Sequence, residues 1–238
     1  MPVGATAGGI AVVIDVLRAS TTIATALAHG ATGVRPVADL AEARALGARL
    51  GPGTLLGGER GGVRIGGFDL GNSPREYTPQ RVAGKTIVIT TTNGTAALHA
   101  CRDAREILVG AIVNRAAVAD ALRRLATVGG RDDVHLVCAG TDGLVSAEDV
   151  LAAGALLDAA SAAGAADVLD DAALAALAFY RRVTASPVPQ EALVAEVRRS
   201  PGGSNLVDLG MEADLPVAAA IDSLTVVPRL DPASGRLI

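Results

Sequence analysis

The stretch VVIDVLRASTT, residues 12–22, decides how this chain is to be read. An apolar run over residues 10–14 predicts a buried strand. The run stops on a carboxylate, Asp15, and Arg18 and three hydroxyls (Ser20, Thr21, Thr22) follow before a helical pattern begins. In an open α/β sheet, ligands bind in the crevice beyond the carboxyl ends of the strands. An acid, a cation and hydroxyls are thus delivered together to the place where chemistry is expected. Asp15 is expected to help hold a metal, and Arg18 with the helix start to hold an anion.

Working outward, the helix over residues 20–29 ends on Gly30. A short strand at 34–37 follows. Asp39 then caps a helix to about residue 50, with Glu42 completing an acidic variant of the capping box. Residues 54–56 form a brief strand. Such βαβα alternation points to a largely parallel sheet. The pattern breaks at GGERGGVRIGGFDLG, residues 57–71, where Glu59, Arg60, Arg64 and Asp69 are spaced among glycines. A linker does not need those charges, and a glycine-rich loop lets backbone N–H groups approach an anion. It is read as a binding loop.

Ser73 caps the next helix, with Pro74 at its first position. A strand at 85–90 runs into TTTNGT, residues 90–95, and a helix over 96–102, which repeats the opening grammar. A strand at 106–113, a helix at 115–125 and a strand at 134–138 come next. AGTDGLVSAED, residues 139–149, opens a helix to about residue 157. Ser146 is its N-cap, and Glu148 and Asp149 sit in the first turn, where acids are favoured. Residues 161–200 read as helical, with breaks near Asp170 and Pro187-Val188-Pro189. A polar turn, SPGGSN at 200–205, a helix over 216–221 and a closing strand at 225–227 complete the chain. The expected fold is three-layer α/β/α around a largely parallel or mixed sheet. One unit spans 1–238, divisible into an α/β core (1–160), a helical segment (161–200) and a return to the core (201–238).

With 238 residues and 50% hydrophobic content the chain can bury a sizeable core, and with 2% aromatics Ala, Val and Leu must fill it. A net charge of −4 argues against a polyanion binder, so no nucleic-acid partner is expected. Cys101 and Cys138 are read as free thiols in a reducing compartment. No charged leader or membrane-length apolar run is evident, so a soluble cytoplasmic protein without a membrane partner is expected. The Ala/Leu-rich helical stretch 150–179 is read as an exposed face that could join two copies into a dimer.

Several motifs are excluded. GKT at 84–86 lacks the earlier glycine of a P-loop, since Pro79 stands there, and it precedes a strand. CAGTDG from Cys138 has Leu144 where a thiolate phosphatase needs arginine. Leu17 stands where an aspartyl-phosphate motif needs a second aspartate. Three scattered histidines do not build a zinc site.

What remains is oxygen chemistry. Asp15, Glu59, Asp69, Asp142, Glu148 and Asp149 fall in post-strand turns or in the glycine loop. Carboxylates with few imidazoles suit Mg²⁺, which uses one or two acids and keeps several waters. Glu148 and Asp149 also have an ordinary reading, complementing a helix dipole for about 0.3–1 kcal/mol each. Asp15 is hardest to explain that way, because it closes an apolar strand. TTTNGT offers Thr91, Thr92, Asn93, Gly94 and Thr95 at a helix start, a ready place for phosphate or sulfonate.

IDVLRASTTI, GERGG…GFDLGNSPREY, TTTNGT and CAGTDG…SAED, with Ser200, Gly203, Leu206 and Gly210 in a late pattern, resemble the 2-phosphosulfolactate phosphatases of coenzyme M biosynthesis. The resemblance runs from about Val12 to beyond Pro228. It implies an α/β fold, Mg²⁺-dependent hydrolysis of a phosphate monoester bearing a sulfonate and a carboxylate, and a cleft lined by the quoted motifs, Asn72, Ser73 and Gly140 included. Family members usually carry a further segment before the first motif strand, so the expectation is either a missing edge strand or a misassigned start site. Combined with the residue reading, Asp15, Arg18, Glu59 and Arg60 become the catalytic candidates and Asp15, Glu148 and Asp149 the metal ligands. The alternatives are a phosphatase for another phosphorylated three-carbon acid and a non-catalytic small-anion binder.

Overall fold

The computed structural model describes residues 4–129, 133–165 and 169–238. In chain order the elements are β1 (Ile10–Ile14), α1 (Ala19–Ala28), β2 (Gly33–Pro36), α2 (Leu40–Leu50), β3 (Thr54–Arg60), β4 (Val63–Arg64), α3 (Pro79–Val82), β5 (Thr86–Thr90), α4 (Gly94–Ala100) and β6 (Glu106–Val109). They continue with α5 (Arg115–Gly129), β7 (Val134–Cys138), α6 (Ala147–Ala162), α7 (Asp171–Thr184), α8 (Pro189–Arg199), α9 (Pro201–Asp208), α10 (Leu215–Ala218), β8 (Leu230–Asp231) and β9 (Arg236–Leu237).

β1 lies between β6 and β7 and is parallel to both, with Val12 opposite Leu108 on one side and Leu136 on the other. β5 lies between β2 and β3, again parallel to both. Antiparallel edges complete the second sheet: β4 folds back on β3, and the β8–β9 hairpin joins β2 through β9. That hairpin also ties the sheets together. The Val109 N–H donates to the Pro228 carbonyl at 2.9 Å, and Leu108 bridges to Arg229. The result is a mixed, mainly parallel α/β architecture.

β1 explains the layering. All five of its residues are essentially inaccessible, and alternate side chains of a strand point to opposite faces. Ile10, Val12 and Ile14 enter a core with Leu151 and Leu156 of α6, Leu177 of α7 and Leu193 of α8. Ala11 and Val13 enter the opposite core with Ile23 of α1, Leu98 of α4, and Ile87 and Ile89 of β5. A strand with no polar face needs helices on both sides, and each fully buried Leu or Ile contributes about 1.5–3 kcal/mol.

Four expectations are corrected. The strand expected over 106–113 stops at Val109, because Asn114 turns the chain: its Oδ1 accepts the Ala111 N–H at 2.9 Å, and its Nδ2 donates to the Val109 carbonyl at 3.2 Å. The closing strand expected at 225–227 does not form. The Val226 carbonyl is taken by Asn114 Nδ2 at 3.0 Å, and pairing begins further on, at β8. The stretch 150–179 is only in part an exposed face among its described residues: Leu151, Leu156 and Leu157 of α6 are buried in the protein's own core, while α7 buries Leu177 and exposes Leu174. SPGGSN is the start of α9, where Ser200 Oγ accepts the Gly203 N–H at 3.1 Å. Among the described residues no helix is long and apolar enough to cross a membrane.

Candidate active site

Asp15 follows β1, Glu59 lies near the end of β3, Thr91 follows β5 and Gly140 follows β7. Hydrogen bonds gather these strand ends. Asp15 caps α1: its Oδ1 accepts the Ala19 N–H at 3.2 Å, its carbonyl accepts the Ser20 N–H at 2.8 Å, and its own N–H donates to Ser20 Oγ at 2.9 Å. A Cβ on Gly94 would lie 2.6 Å from Asp15 Oδ2 and 2.6 Å from Ala19 Cβ, so only glycine lets α4 begin against Asp15. From the first turn of α6, Asp149 spans β1 and β7: Oδ1 accepts the Val16 N–H at 2.9 Å and Oδ2 the Gly140 N–H at 3.0 Å. Its neighbour Glu148 is 3% exposed, and Oε2 has no hydrogen-bond partner.

Glu59 is a latch between loops. Its Oε1 accepts the Thr92 N–H at 2.8 Å and its Oε2 the Gly62 N–H at 2.7 Å. This buried cluster raises carboxyl pKa values. Burial pushes Asp15 up to about 6; the Ala19 N–H opposes, the charges of Glu59 and Glu148 add, and the Arg18 guanidinium opposes. Asp149 is held well above the usual carboxylate range by burial and the charge of Asp15, against the pull of the Val16 and Gly140 N–H groups. Acids that raise one another's pKa form a site suited to positive charge.

Arg18 is 3% exposed and pairs with none of these acids. Nη1 donates to Asp214 Oδ2 at 3.0 Å and contacts Met211 Sδ at 2.9 Å, while Nη2 donates to the Gly62 carbonyl at 2.6 Å. The Nε–H and the second Nη2–H are left without a protein partner among the described residues. Asp214 and Met211 escaped the sequence reading. Both lie in a short polar segment, GMEAD at 210–214, that no strand-end pattern marks.

The other candidates divide by what their polar atoms touch. Ser20, Thr21 and Thr22 hydroxyls donate to the carbonyls of Val13, Val16 and Asn72, and so tie α1 to its surroundings. Thr91 Oγ1 accepts the Thr95 N–H at 3.1 Å, and Thr95 Oγ1 donates back to the Thr91 carbonyl at 2.8 Å. Ser73 was expected to cap a helix but donates its hydroxyl to Asp214 Oδ1 at 2.7 Å. Arg60 folds back on its own sheet, donating to the Glu59 carbonyl and to Thr90 Oγ1. Asn72 is buried with Oδ1 unpartnered, Thr92 is exposed, and Asn93 is half-buried at the start of α4.

Among the described residues no three His, Cys, Asp or Glu side chains are grouped as ligands for one ion. Both Asp149 oxygens are spent on N–H groups, so Asp15, Glu148 and Asp149 do not form a closed cage. Among the described residues, Asp15 Oδ2 and both oxygens of Glu148 accept no hydrogen bond, and Glu148 Oε2 is fully buried. That donor set fits Mg²⁺, which needs one or two carboxylates and completes its shell with water.

A family model for 2-phosphosulpholactate phosphatase matches residues 2–232. The chain belongs to that family. A relative from Carboxydothermus hydrogenoformans is 42% identical over 227 residues, covering 95% of this chain and 88% of its own. One from Synechococcus sp. RCC307 is 44% identical, covering 93% and 89%. One from Deinococcus radiodurans is 43% identical, covering 94% and 88%. Each bears the name probable 2-phosphosulfolactate phosphatase. Family members are phosphoric monoester hydrolases by name, and a group of buried acids with an arginine close to Asp15 suits that chemistry.

Proposed function

We propose that this protein is a Mg²⁺-dependent phosphatase that hydrolyses 2-phosphosulfolactate to sulfolactate and phosphate. The observation that carries the reading is the set of unspent carboxylate oxygens on Asp15 and Glu148, beside an arginine with N–H groups to spare. The relatives' names support the substrate, which carries three anionic groups on a three-carbon frame.

Asp15 and Glu148 would hold Mg²⁺, with the Asp149 charge behind them. When bound, the ion neutralises phosphoryl oxygens and polarises the bond to the leaving oxygen. Arg18 holds a substrate oxyanion through its Nε–H and free Nη2–H, a charge-assisted contact contributing about 1.5–3 kcal/mol. Glu59 keeps the Gly62 and Thr92 loops closed around the substrate. Water attacks phosphorus in line as the bond to the substrate oxygen breaks. One water proton ends on that oxygen to give the sulfolactate hydroxyl, and the remaining OH stays on the phosphate.

The test is phosphate release from a panel of phosphomonoesters (2-phosphosulfolactate, phosphoglycerates, phospholactate), with Mg²⁺ and with EDTA. Mg²⁺-dependent release that is fastest from 2-phosphosulfolactate is expected. Equal or faster release from a phosphoglycerate would reassign the substrate, and release unaffected by EDTA would remove the metal.

A further inference from the structure

We infer that Asp214 is the positioning residue for Arg18, with Ser73 fixing the carboxylate that does it; this rests on Arg18 as the substrate's anion contact. A guanidinium that is 3% exposed must find a counter-charge, because an unpaired buried charge is costly. The neighbouring strand ends and α6 offer Asp15, Glu59, Glu148 and Asp149. Collapse onto any of them would neutralise both partners and remove the arginine from the ligand. The structure shows another solution. The one ion pair of Arg18 among the described residues is with Asp214, at 3.0 Å.

Asp214 is suited to hold and not to react. It is 1% exposed, and each of its oxygens is spent: Oδ2 on Arg18 Nη1, Oδ1 on Ser73 Oγ–H at 2.7 Å. Buried and paired at both oxygens, it is closed to a ligand. The Ser73 bond fixes the rotation of the carboxylate, and the carboxylate then fixes the plane of the guanidinium. The Gly62 carbonyl, 2.6 Å from Nη2, holds the same plane from the β3–β4 turn. Three distant segments thus converge on one arginine, and its Nε edge is left for an oxyanion. Planar, bidentate recognition makes such orientation matter for arginine.

The test is a double-mutant cycle on the full chain: wild type, Arg18→Met, Asp214→Asn and the double variant. Sulfolactate and inorganic phosphate binding are measured by calorimetry, and kcat and KM with 2-phosphosulfolactate alongside. Asp214→Asn is expected to weaken sulfolactate binding and raise KM by about 10- to 100-fold, with a smaller change in kcat. In the Arg18→Met background the same substitution should cost less than about twofold more, because the group it positions is gone. Ser73→Ala is the gentler variant should Asp214→Asn not fold. It should weaken binding by about 3- to 10-fold, and again not in the Arg18→Met background. Circular dichroism verifies folding. Losses that add fully in both backgrounds overturn the inference, as does undiminished affinity in Asp214→Asn. Wild-type protein that binds neither ligand overturns it too. Wild-type protein that binds sulfolactate but cleaves no phosphomonoester sinks the phosphatase reading, while the binding cycle still decides Asp214.

Discussion

Glu59 Oε1 accepts the main-chain N–H of Thr92 at 2.8 Å, which fastens the end of β3 to the turn after β5. The other oxygen, Oε2, accepts the Gly62 N–H at 2.7 Å. Glutamine has the same length but only one acceptor oxygen, so Glu59→Gln must turn an NH₂ toward one of these donors. Leaving a buried donor unpaired costs about 1–3 kcal/mol. For a chain of 238 residues that lowers Tm by about 2–12 °C. Activity should fall with it if, as proposed, both loops close around the substrate. Thermal unfolding by circular dichroism decides it, and an unchanged Tm would show that Glu59 is no latch.

Asp15→Asn is expected to abolish turnover and yet stabilise the metal-free protein at alkaline pH. The Asp15 carboxyl rises from 3.8 to about 6, so the folded state holds this proton more tightly than the unfolded chain does. Stability from this group is therefore greatest below pH 4 and is lost as pH rises through about 6. The full shift corresponds to about 3 kcal/mol. Asparagine never ionises and can still accept the Ala19 N–H. In EDTA, urea unfolding at pH 8 should place the variant above the wild type by up to that amount, with the two converging near pH 4. A variant less stable than wild type at pH 8 would contradict this.

Asp15 also marks the division between what the sequence disclosed and what it withheld. An apolar run that stops on a carboxylate identifies a strand end, and with it the crevice, because burial period and polarity are local properties. The Asp39 cap was equally legible, and the Asp39 side chain does accept the Glu42 N–H at 2.9 Å. Ser73 was legible only as a hydroxyl before a proline. That its partner is Asp214, 141 residues later, follows from tertiary packing that no local pattern records. The hydroxyls Ser20–Thr22 looked like ligand donors because polarity near a helix start is ambiguous. Their partners are carbonyls of the chain itself, which settles what holds α1 in place.

The two thiols should be poor nucleophiles in the native protein. Burial pushes Cys101 up to about 11, and burial with the charges of Asp149 and Glu148 pushes Cys138 up to about 12. At pH 8 about one thiol in a thousand or fewer is then thiolate, the reactive form. Iodoacetamide should leave both nearly unlabelled over an hour at pH 8 and label both in urea, as read by intact mass. Both cysteines are free, so the unfolded chain should accept two labels without a reductant. Rapid labelling of native Cys138 would mean that burial and the acids beside it do not hold the thiol protonated.

Gly202→Ala tests whether Glu148 must stand where it does. A Cβ at position 202 would fall on Glu148 Oε1 and lie 3.1 Å from its Cδ, and the next atom, Leu17 Cδ1, is 3.7 Å away. The obstacle is thus the far end of a flexible side chain and not backbone. Glu148 can swing aside, while alanine in α9 recovers up to about 1 kcal/mol of helix propensity. Tm should accordingly change by no more than about 4 °C. The unpartnered Glu148 Oε2 nevertheless moves with the rest of the carboxylate. Phosphate release should fall by at least about tenfold, because displacement of a reacting group's support by about an ångström costs that much or more. The Mg²⁺ concentration needed for half-maximal rate should rise as well, separating loss of the ion from general damage. Full activity in Gly202→Ala, with Mg²⁺ demand unchanged, would remove Glu148 from the site and leave it as the acid at the start of α6.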